Sequence, residues 1–499
     1  MRVQLISTSL EEKVRPPSRN TSYYPLGLAY LHAYLEKQGH SVDTLCVNDY
    51  AYDDCYRAVI DKLREFRPEV VGFNVLTSNR VSTYYLINYI HTHFQNIKIV
   101  LGGIHTSAMY EQLIRKFPYV IAVIGEGEVT TAELLLKIQN NEPLDDVAGI
   151  AYFIGNEVVV TPLRPLVADL DELPFPKHEV FFYQDVIAAC ILTTRGCPFR
   201  CSFCSLDLIS RGKVRYRSIK NVIEELEHIK KVNPKIKRIW IHDDTFFLKN
   251  ERVIEFCDEV AKRNLGFEFI CSARFKPISE KIVPALEKAG FSTVLFGLES
   301  GAPSVLKRAG KHIDPEDAIY TIGLFKNSPI EVGVFLIVGL SGENETTIKE
   351  TIGLVMKLQK IKYLLYLDEP NTCFVYPGTQ LCDMAKQAGQ LGDDYWLTDN
   401  PIPFFTVEND EAQLAKYGEK LFDHIALSRI FTLRGFRAQF KMIPYIVRHL
   451  AKMSFFSRIE FFNTAFYRYK INHPGLYRAL RFFYRGLKSR SKRLLNVSS

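Results

Sequence analysis

The sequence predicts an α/β protein. A doubly wound, Rossmann-like unit covers residues 1–150, a second strand–helix array covers 186–385, and an α-helical region covers 386–499. Two observations carry this. Short apolar runs of strand length alternate with amphipathic stretches of helix length, so the hydrophobic period switches repeatedly between about 2 and 3.6. That alternation marks parallel sheets with crossover helices. A proline-stiffened stretch, Leu170-Asp171-Glu172-Leu173-Pro174-Phe175-Pro176, lies in a bridge over 151–185 and separates the two arrays.

In the first unit Val3 to Ile6 reads as a strand, and a long loop with Pro16 and Pro17 follows. Leu26 to Lys37 has a helical pattern stopped by Gly39, because glycine takes the left-handed conformation that ends helices. Val42 to Val47, Val70 to Val75, Ile97 to Leu101 and Val120 to Ile124 read as strands. Tyr56 to Phe66, Val81 to Phe94 and Tyr110 to Lys116 read as the helices between them. Gly102 and Gly103 close the fourth of the five strands, and sheets of this kind bind ligands where glycine lets backbone come close. Ile150 to Ile154 and Glu157 to Val160 form a hairpin pattern around Gly155-Asn156.

The second array gives six strands: Val186 to Thr193, Arg238 to His242, Glu268 to Ser272, Thr293 to Leu298, Glu331 to Val338 and Thr372 to Val375. Helices over Asn221 to Val232, Asn250 to Arg263, Glu280 to Ala289, Pro315 to Lys326 and Glu345 to Leu358 connect them. Right-handed crossovers throughout would place the functional groups at the strand carboxyl ends.

The chain has 499 residues, 47% hydrophobic and 24% charged, which is ordinary for a globular protein of two or three domains. No apolar run reaches the length of a membrane span, and the start is too short in apolar residues for a signal peptide. Ten cysteines in a chain this long do not describe a disulfide framework, and a reducing, cytoplasmic setting is expected. The net charge of +7 conceals an asymmetry: residues 429–499 carry +15 and the first 428 carry −8.

Cys197, Cys201 and Cys204 lie in Arg-Gly-Cys-Pro-Phe-Arg-Cys-Ser-Phe-Cys, a C-x3-C-x2-C spacing. Three thiolates on one tight loop can hold three irons of a [4Fe–4S] cube and leave the fourth iron open to a chelating ligand. A structural zinc site or three unrelated core cysteines are the competing readings. Zinc, however, wants a fourth ligand and paired C-x2-C spacings, and no second pair exists.

This motif, following a short apolar strand, resembles the signature of the radical S-adenosylmethionine (SAM) enzymes. The resemblance implies that the open iron binds the amino and carboxylate groups of SAM, and that one electron from the cluster cleaves it to methionine and a 5′-deoxyadenosyl radical. It also implies a partial (β/α)6 TIM-like barrel and an electron donor such as flavodoxin or ferredoxin.

The strand ends supply matching signatures. His242-Asp243-Asp244-Thr245-Phe246 stands where the family contacts the SAM amino group; Asp243 or Asp244 can accept from an ammonium, and a helix N-cap is the alternative. Arg274, after the third strand, offers a fork for the SAM carboxylate or forms a surface ion pair. Phe296-Gly297-Leu298-Glu299-Ser300-Gly301 resembles the ribose-contact motif, with Glu299 as acceptor and Ser300 beside it. A carboxylate buried there without a ligand would be costly. Val338-Gly339-Leu340-Ser341-Gly342-Glu343 resembles the adenine-contact segment, where Gly339 lets the base approach.

The first unit is similar to the cobalamin-binding domain of one large radical-SAM subgroup, in Pro25 to Leu31, Val71-Gly72-Phe73, Leu101-Gly102-Gly103-Ile104-His105 and Gly125-Glu126-Gly127-Glu128. The Asp-x-His-x-x-Gly motif that places a histidine on cobalt is missing. His105 is the one histidine in a suggestive loop, with a surface histidine as the alternative. Cys190, Cys257, Cys271, Cys373 and Cys382 are expected in the core.

Beyond residue 429, Phe455, Ile459, Phe462 and Phe466, and then Leu476, Leu480, Phe483 and Leu487, fall at helical spacing beside a basic stripe. The stretch 453–493 therefore suits peripheral contact with an anionic membrane, in a cytoplasmic protein at the inner membrane surface. A solvated helical cap is the alternative, and nucleic acid is not the expected partner. The resemblance points to methyl transfer to an unactivated carbon of a small-molecule or lipid-like substrate, with oxidative cyclisation of the porphyrin-ester cyclase type as the near alternative. An RNA-modifying relative ranks third: Cys46 and Cys55 do not make the extra cysteine trio of the methylthiolating enzymes.

Overall fold

The computed structural model describes residues 1–10, 24–182, 186–365, 367 and 370–430, with backbone alone for 423 and 426–430. The strongly basic stretch 453–493 lies outside the described residues.

The fold class is the expected one. Strands β1 (Arg2–Ser7), β2 (Ser41–Cys46), β3 (Val70–Asn74), β4 (Lys98–Gly102) and β5 (Val120–Val123) pair in parallel, in the order 2-1-3-4-5. Both faces of this sheet are covered, which is why β1 is buried at every position after Arg2. Helix α1 (Leu26–Lys37) and a helix the periodicity did not reveal pack on one face; α2 (Tyr52–Phe66), α3 (Arg80–His93) and α4 (Ile104–Lys116) pack on the other. The unforeseen helix, α5 (Glu128–Asn140), begins inside the Gly-Glu-Gly-Glu segment.

Strands β6 (Ile150–Ile154) and β7 (Glu157–Val160) have the expected bounds and a different place. They do not bridge the two arrays but continue the first sheet as its antiparallel edge, β6 against β5. The bridge proper runs from Thr161 to Phe182 and carries a buried polar relay. His178 Nε2 meets Glu225 Oε1 at 2.9 Å, His178 Nδ1 meets the Tyr24 hydroxyl at 2.6 Å, and Arg217 pairs with Glu225. Residues of the first unit, the bridge and the second array are thereby fixed to one another.

The second array orders its strands in sequence, as a barrel that does not close. β8 (Ala188–Ile191) leads into a small antiparallel pair, β9 (Thr194–Arg195) with β10 (Arg215–Tyr216), around the cysteine loop and the short α6 (Asp207–Ser210). β8 then pairs with β11 (Arg238–Ile241), followed by β12 (Glu268–Ala273), β13 (Phe291–Glu299) and β14 (Glu331–Val338), all parallel. The sixth position is split: β15 (Leu364–Leu365) pairs with the start of β14 and β16 (Asn371–Thr372) with its end. The sequence places that strand at Thr372 to Val375, and only its first residue is strand.

Helices α7 (Ile219–Val232), α8 (Asn250–Arg263), α9 (Ile282–Ala289), α11 (Pro315–Leu324) and α12 (Glu345–Ile361) surround the array. The short α10 (Pro303–Arg308) and α13 (Gln380–Gln387) were not legible in the pattern. α14 (Glu411–Ile430) lies along α12 and seats Leu414 against Gly339.

Candidate active site

The carboxyl ends of β8, β11, β12, β13 and β14 face the cysteine loop, and backbone hydrogen bonds fix that loop. Ser202 N donates to Ala309 O at 3.0 Å, Leu381 N donates to Ser202 O at 3.0 Å, and Cys204 N closes a turn onto Cys201 O. Cys204 is exposed, and Cys197 and Cys201 are half-buried. Crowding around the sulfur nonetheless desolvates and raises the Cys204 thiol, and the neighbouring Cys201 and Cys197 raise it further. Burial raises Cys197 as well, against the opposing charge of Arg274. Among the described residues, no three His, Cys, Asp or Glu side chains gather as ligands of a single ion.

Arg274, directly after β12, brings a cation to this loop. It is buried, its guanidinium stacks 3.8 Å from the centre of the Phe199 ring, and Nη1 lies 3.8 Å from Cys201 Sγ. Its Nε and Nη2 are buried without a partner. Buried donors are nearly always satisfied, so two on one guanidinium mark a place for an acceptor. A ligand carboxylate fits the planar fork.

The two aspartates separate clearly. Asp243 is buried and both of its oxygens are engaged, by Thr193 N at 2.6 Å, Thr193 Oγ1 at 2.5 Å and Thr194 N at 3.1 Å. Through these bonds Asp243 braces the segment that leads into the cysteine loop. Asp244 accepts only from Gly196 N, at 3.0 Å, and is open to solvent on a concave wall. Despite that exposure, the concave wall around the carboxyl desolvates it enough to push it up to about 6. Its free oxygen is the one available to an ammonium.

Glu299 adopts φ 65°, rare for a residue with a side chain, at a bulge between β13 and β14. Its carboxylate is not left unpaired, as the sequence argument assumed: Lys311 Nζ donates to Oε1 at 2.6 Å. Gly297 makes room for this pair, since a Cβ there would lie 2.4 Å from Glu299 Oε1. Lys311 was missed because its contact runs around the turn after α10, which no local pattern reports. The Ser300 hydroxyl lies near Thr351 Oγ1 and Ala302 N, both at 3.2 Å, so Ser300 braces α12 and does not face a ligand.

Gly339 has φ 93° and is approached by Leu414 at 3.0 Å from an ideal Cβ. Its N–H donates to Glu343, whose carboxyl burial pushes up to about 7. The folded chain thus holds that proton to about pH 7, whereas the unfolded chain releases it near 4.5. Between those values the folded state binds more protons, so this group's contribution to stability falls as pH rises. Glu343→Gln keeps the acceptor and removes the titration. Urea unfolding between about pH 5 and pH 8 should show a stability loss smaller in the variant, by up to about 3 kcal/mol.

Two cavities flank the cysteine loop. The first, of about 390 Å³, runs between the first sheet, α1 and α5 and opens onto Gly196, Leu206, Arg215 and Asp244. Gly102 and Gly103 line it, together with Gly27, Gly125 and Gly127. Ideal Cβ atoms built at Gly27 and Gly102 meet nothing closer than 4.0 Å, so side chains there would fill the trough. An apolar floor with bare backbone edges fits a large flat cofactor such as a corrin. His105 is not part of it. It is buried, Thr77 Oγ1 and the Tyr84 hydroxyl hold its two nitrogens at 3.0 and 2.9 Å, and burial pushes its pKa down to about 3.

The second cavity, of about 810 Å³, is lined by Asn48, Tyr50, Phe203, Glu299, Thr372 and Tyr376, among others. Of the cysteines expected in the core, all are buried, yet Cys373 also has a face on this chamber. The aromatic and amide residues of the β2–α2 segment were missed because loop residues carry no periodic signal.

A barrel of six parallel positions with three cysteines at its mouth, joined to a glycine-edged Rossmann-like domain, defines a class of enzyme. Comparison with known proteins agrees: residues 191–355 match the radical SAM superfamily and residues 18–135 the B12-binding domain. An uncharacterized methyltransferase of Pyrococcus horikoshii is 30% identical over 77% of this chain and 82% of its own length. The anaerobic magnesium-protoporphyrin IX monomethyl ester cyclase of Rubrivivax gelatinosus is 31% identical over 66% of this chain and 61% of its own. The chain belongs to the radical SAM enzymes that carry a B12-binding domain, whose cofactors are a [4Fe–4S] cluster, SAM and cobalamin.

Among solved structures, the methyltransferase TsrM from Kitasatospora setae superposes with a TM-score of 0.64 at 20% identity, over 78% of this chain and 76% of that one. The cobalamin-dependent enzyme OxsB, in a structure with aqua-cobalamin and SAM bound, gives 0.68 at 18% identity over 95% of this chain and 71% of that one. At these identities the likeness establishes the fold. Among the described residues no helix is long and apolar enough to cross a membrane.

Proposed function

We propose that this enzyme transfers a methyl group to an unactivated carbon of a small-molecule or lipid-like substrate. The observation that carries the reading is that two cavities both reach one cysteine loop, the glycine-edged trough at Gly196 and Asp244 and the larger chamber at Phe203 and Glu299. When bound, the cluster would supply the electron that cleaves SAM and cobalamin would supply a methyl carrier.

The chain's own residues do the rest. Cys197, Cys201 and Cys204 would hold the cluster, the free donors of Arg274 would orient the SAM carboxylate, and Asp244 would accept from its ammonium. Glu299, held by Lys311, would offer its second oxygen to the ribose hydroxyls, and the backbone at Gly339, against which Leu414 packs, would border the adenine.

Product analysis tests this. Methyl transfer should yield S-adenosylhomocysteine and 5′-deoxyadenosine together from the reduced enzyme with SAM and substrate. Production of 5′-deoxyadenosine alone would replace methyl transfer with oxidative cyclisation, the reading the cyclase relatives favour.

The electron for SAM cleavage would come from a flavodoxin- or ferredoxin-type donor in the cytoplasm. The basic stretch 453–493 would hold the enzyme at the anionic inner membrane surface, since each nearby Lys or Arg contributes roughly 1 kcal/mol. Full-length protein should float with anionic liposomes while a chain ending at Ser428 does not; equal flotation of both would remove the membrane assignment.

A further inference from the structure

Arg195 stands two residues before the first cysteine of the motif, and its guanidinium reaches across to the other domain. Nη1 donates to Glu126 Oε1 at 3.2 Å and Nη2 to Glu128 Oε1 at 2.7 Å. The cation also lies 4.6 Å from the centre of the Tyr30 ring. Arg215 Nη1 and Val167 N close on the other oxygen of Glu126, at 2.8 and 3.0 Å.

Two guanidinium groups thus face two carboxylates, and their side chains are only 6 to 13% exposed. Buried pairs of this kind contribute little net stability, because desolvation offsets their attraction. What a planar fork on two carboxylates does provide is a fixed distance and direction. All four side chains line the 390 Å³ trough. Glu126 and Glu128 belong to its glycine-rich wall, and Arg195 to the chain that continues through Gly196 into the cysteine loop.

We propose that Arg195 is a positioning residue: by clasping Glu126 and Glu128 it sets the width of the trough and the separation between a cofactor held there and the cysteine loop. This rests on the reading that the trough holds the cobalamin. Opening the clasp would leave each domain folded and change how they face one another. Lysine cannot replace it, because one ammonium cannot span both carboxylates in a fixed plane.

The test is titration of anaerobically reconstituted full-length protein with hydroxocobalamin, read by absorbance after desalting, with iron content and unfolding midpoint measured in parallel. Arg195→Gln should weaken binding at least about tenfold, and Glu128→Gln, which removes one contact, about threefold, with iron content unchanged. Arg195→Lys should recover less than half of the loss. The double variant should bind no worse than Arg195→Gln alone, since both changes open one clasp. Unchanged affinity in Arg195→Gln, a lowered unfolding midpoint without an affinity change, full rescue by lysine or additive losses would each overturn the clasp. Failure of the unaltered protein to bind hydroxocobalamin would instead overturn the trough assignment, and the clasp with it.

Discussion

Cys201→Ala is expected to abolish SAM cleavage, with 5′-deoxyadenosine formation lowered by about a thousandfold or more, some 4 kcal/mol of barrier. Cys201 is one of three thiols on a loop that brings no fourth cysteine, so a cube that loses it keeps two protein ligands. Its sulfur also sits 3.8 Å from Arg274 Nη1 and from the Gly310 carbonyl. The substitution would therefore remove a proposed cluster ligand and leave Arg274 a further donor without a partner. The glycine-edged trough is lined by other residues, so hydroxocobalamin affinity should stay within about threefold of the unaltered protein. Iron content, the electron paramagnetic resonance signal of the reduced protein and product formation check this together. Wild-type rates of 5′-deoxyadenosine formation would remove Cys201 from the cluster.

Gly196→Ala is expected to be nearly as damaging without touching a ligand. Gly196 has φ 96°, and a Cβ there would lie 2.1 Å from the Lys213 carbonyl oxygen and 3.0 Å from Ser210 Cβ. Backbone cannot rotate aside, so either the cysteine loop or the turn after α6 must move. The left-handed backbone and the overlap together should cost about 3 kcal/mol or more. Gly155, in the β6–β7 turn, is the control: its φ is 61° and a Cβ would meet nothing within 4 Å. Gly155→Ala should cost only about 1 kcal/mol and assemble a full cluster. Urea midpoints and iron content of the two variants decide the matter, and a fully loaded, equally stable Gly196→Ala would contradict the packing described.

Much of this arrangement was legible in the residues because it depends on period and on local spacing. Five strands of the first sheet and the helices over Leu26–Lys37 and Asn250–Arg263 follow from apolar periodicity, which reports the face a side chain occupies. The cysteine motif and Gly102-Gly103 are short-range features, and both stand at strand ends in the folded chain. Periodicity does not report which of two adjacent carboxylates turns inward. Asp243 and Asp244 differ in that Thr193 and Thr194, at the junction of β8 and β9 some fifty residues earlier in the chain, offer donors to the first.

The same holds for partners brought together by the fold. Lys311 reaches Glu299 around α10, and Arg195 reaches Glu126 across the domain boundary. His105 follows a glycine turn that suggests a ligand site, yet Thr77 and Tyr84 enclose its ring. The hairpin was placed correctly in sequence and wrongly in space, because turn residues reveal that two strands pair and not which sheet they join. The split sixth strand and α10 are too short for a periodic signal.

The proposed arrangement puts cobalamin in the glycine-edged trough beside a cluster held by the cysteine loop. The absorbance spectrum of protein purified anaerobically from cells supplied with cobalamin tests it most directly. The prediction is a broad iron–sulfur band with superimposed corrin bands, at about one corrin per chain after desalting. A spectrum with the cluster alone, unchanged by incubation with hydroxocobalamin, would contradict it.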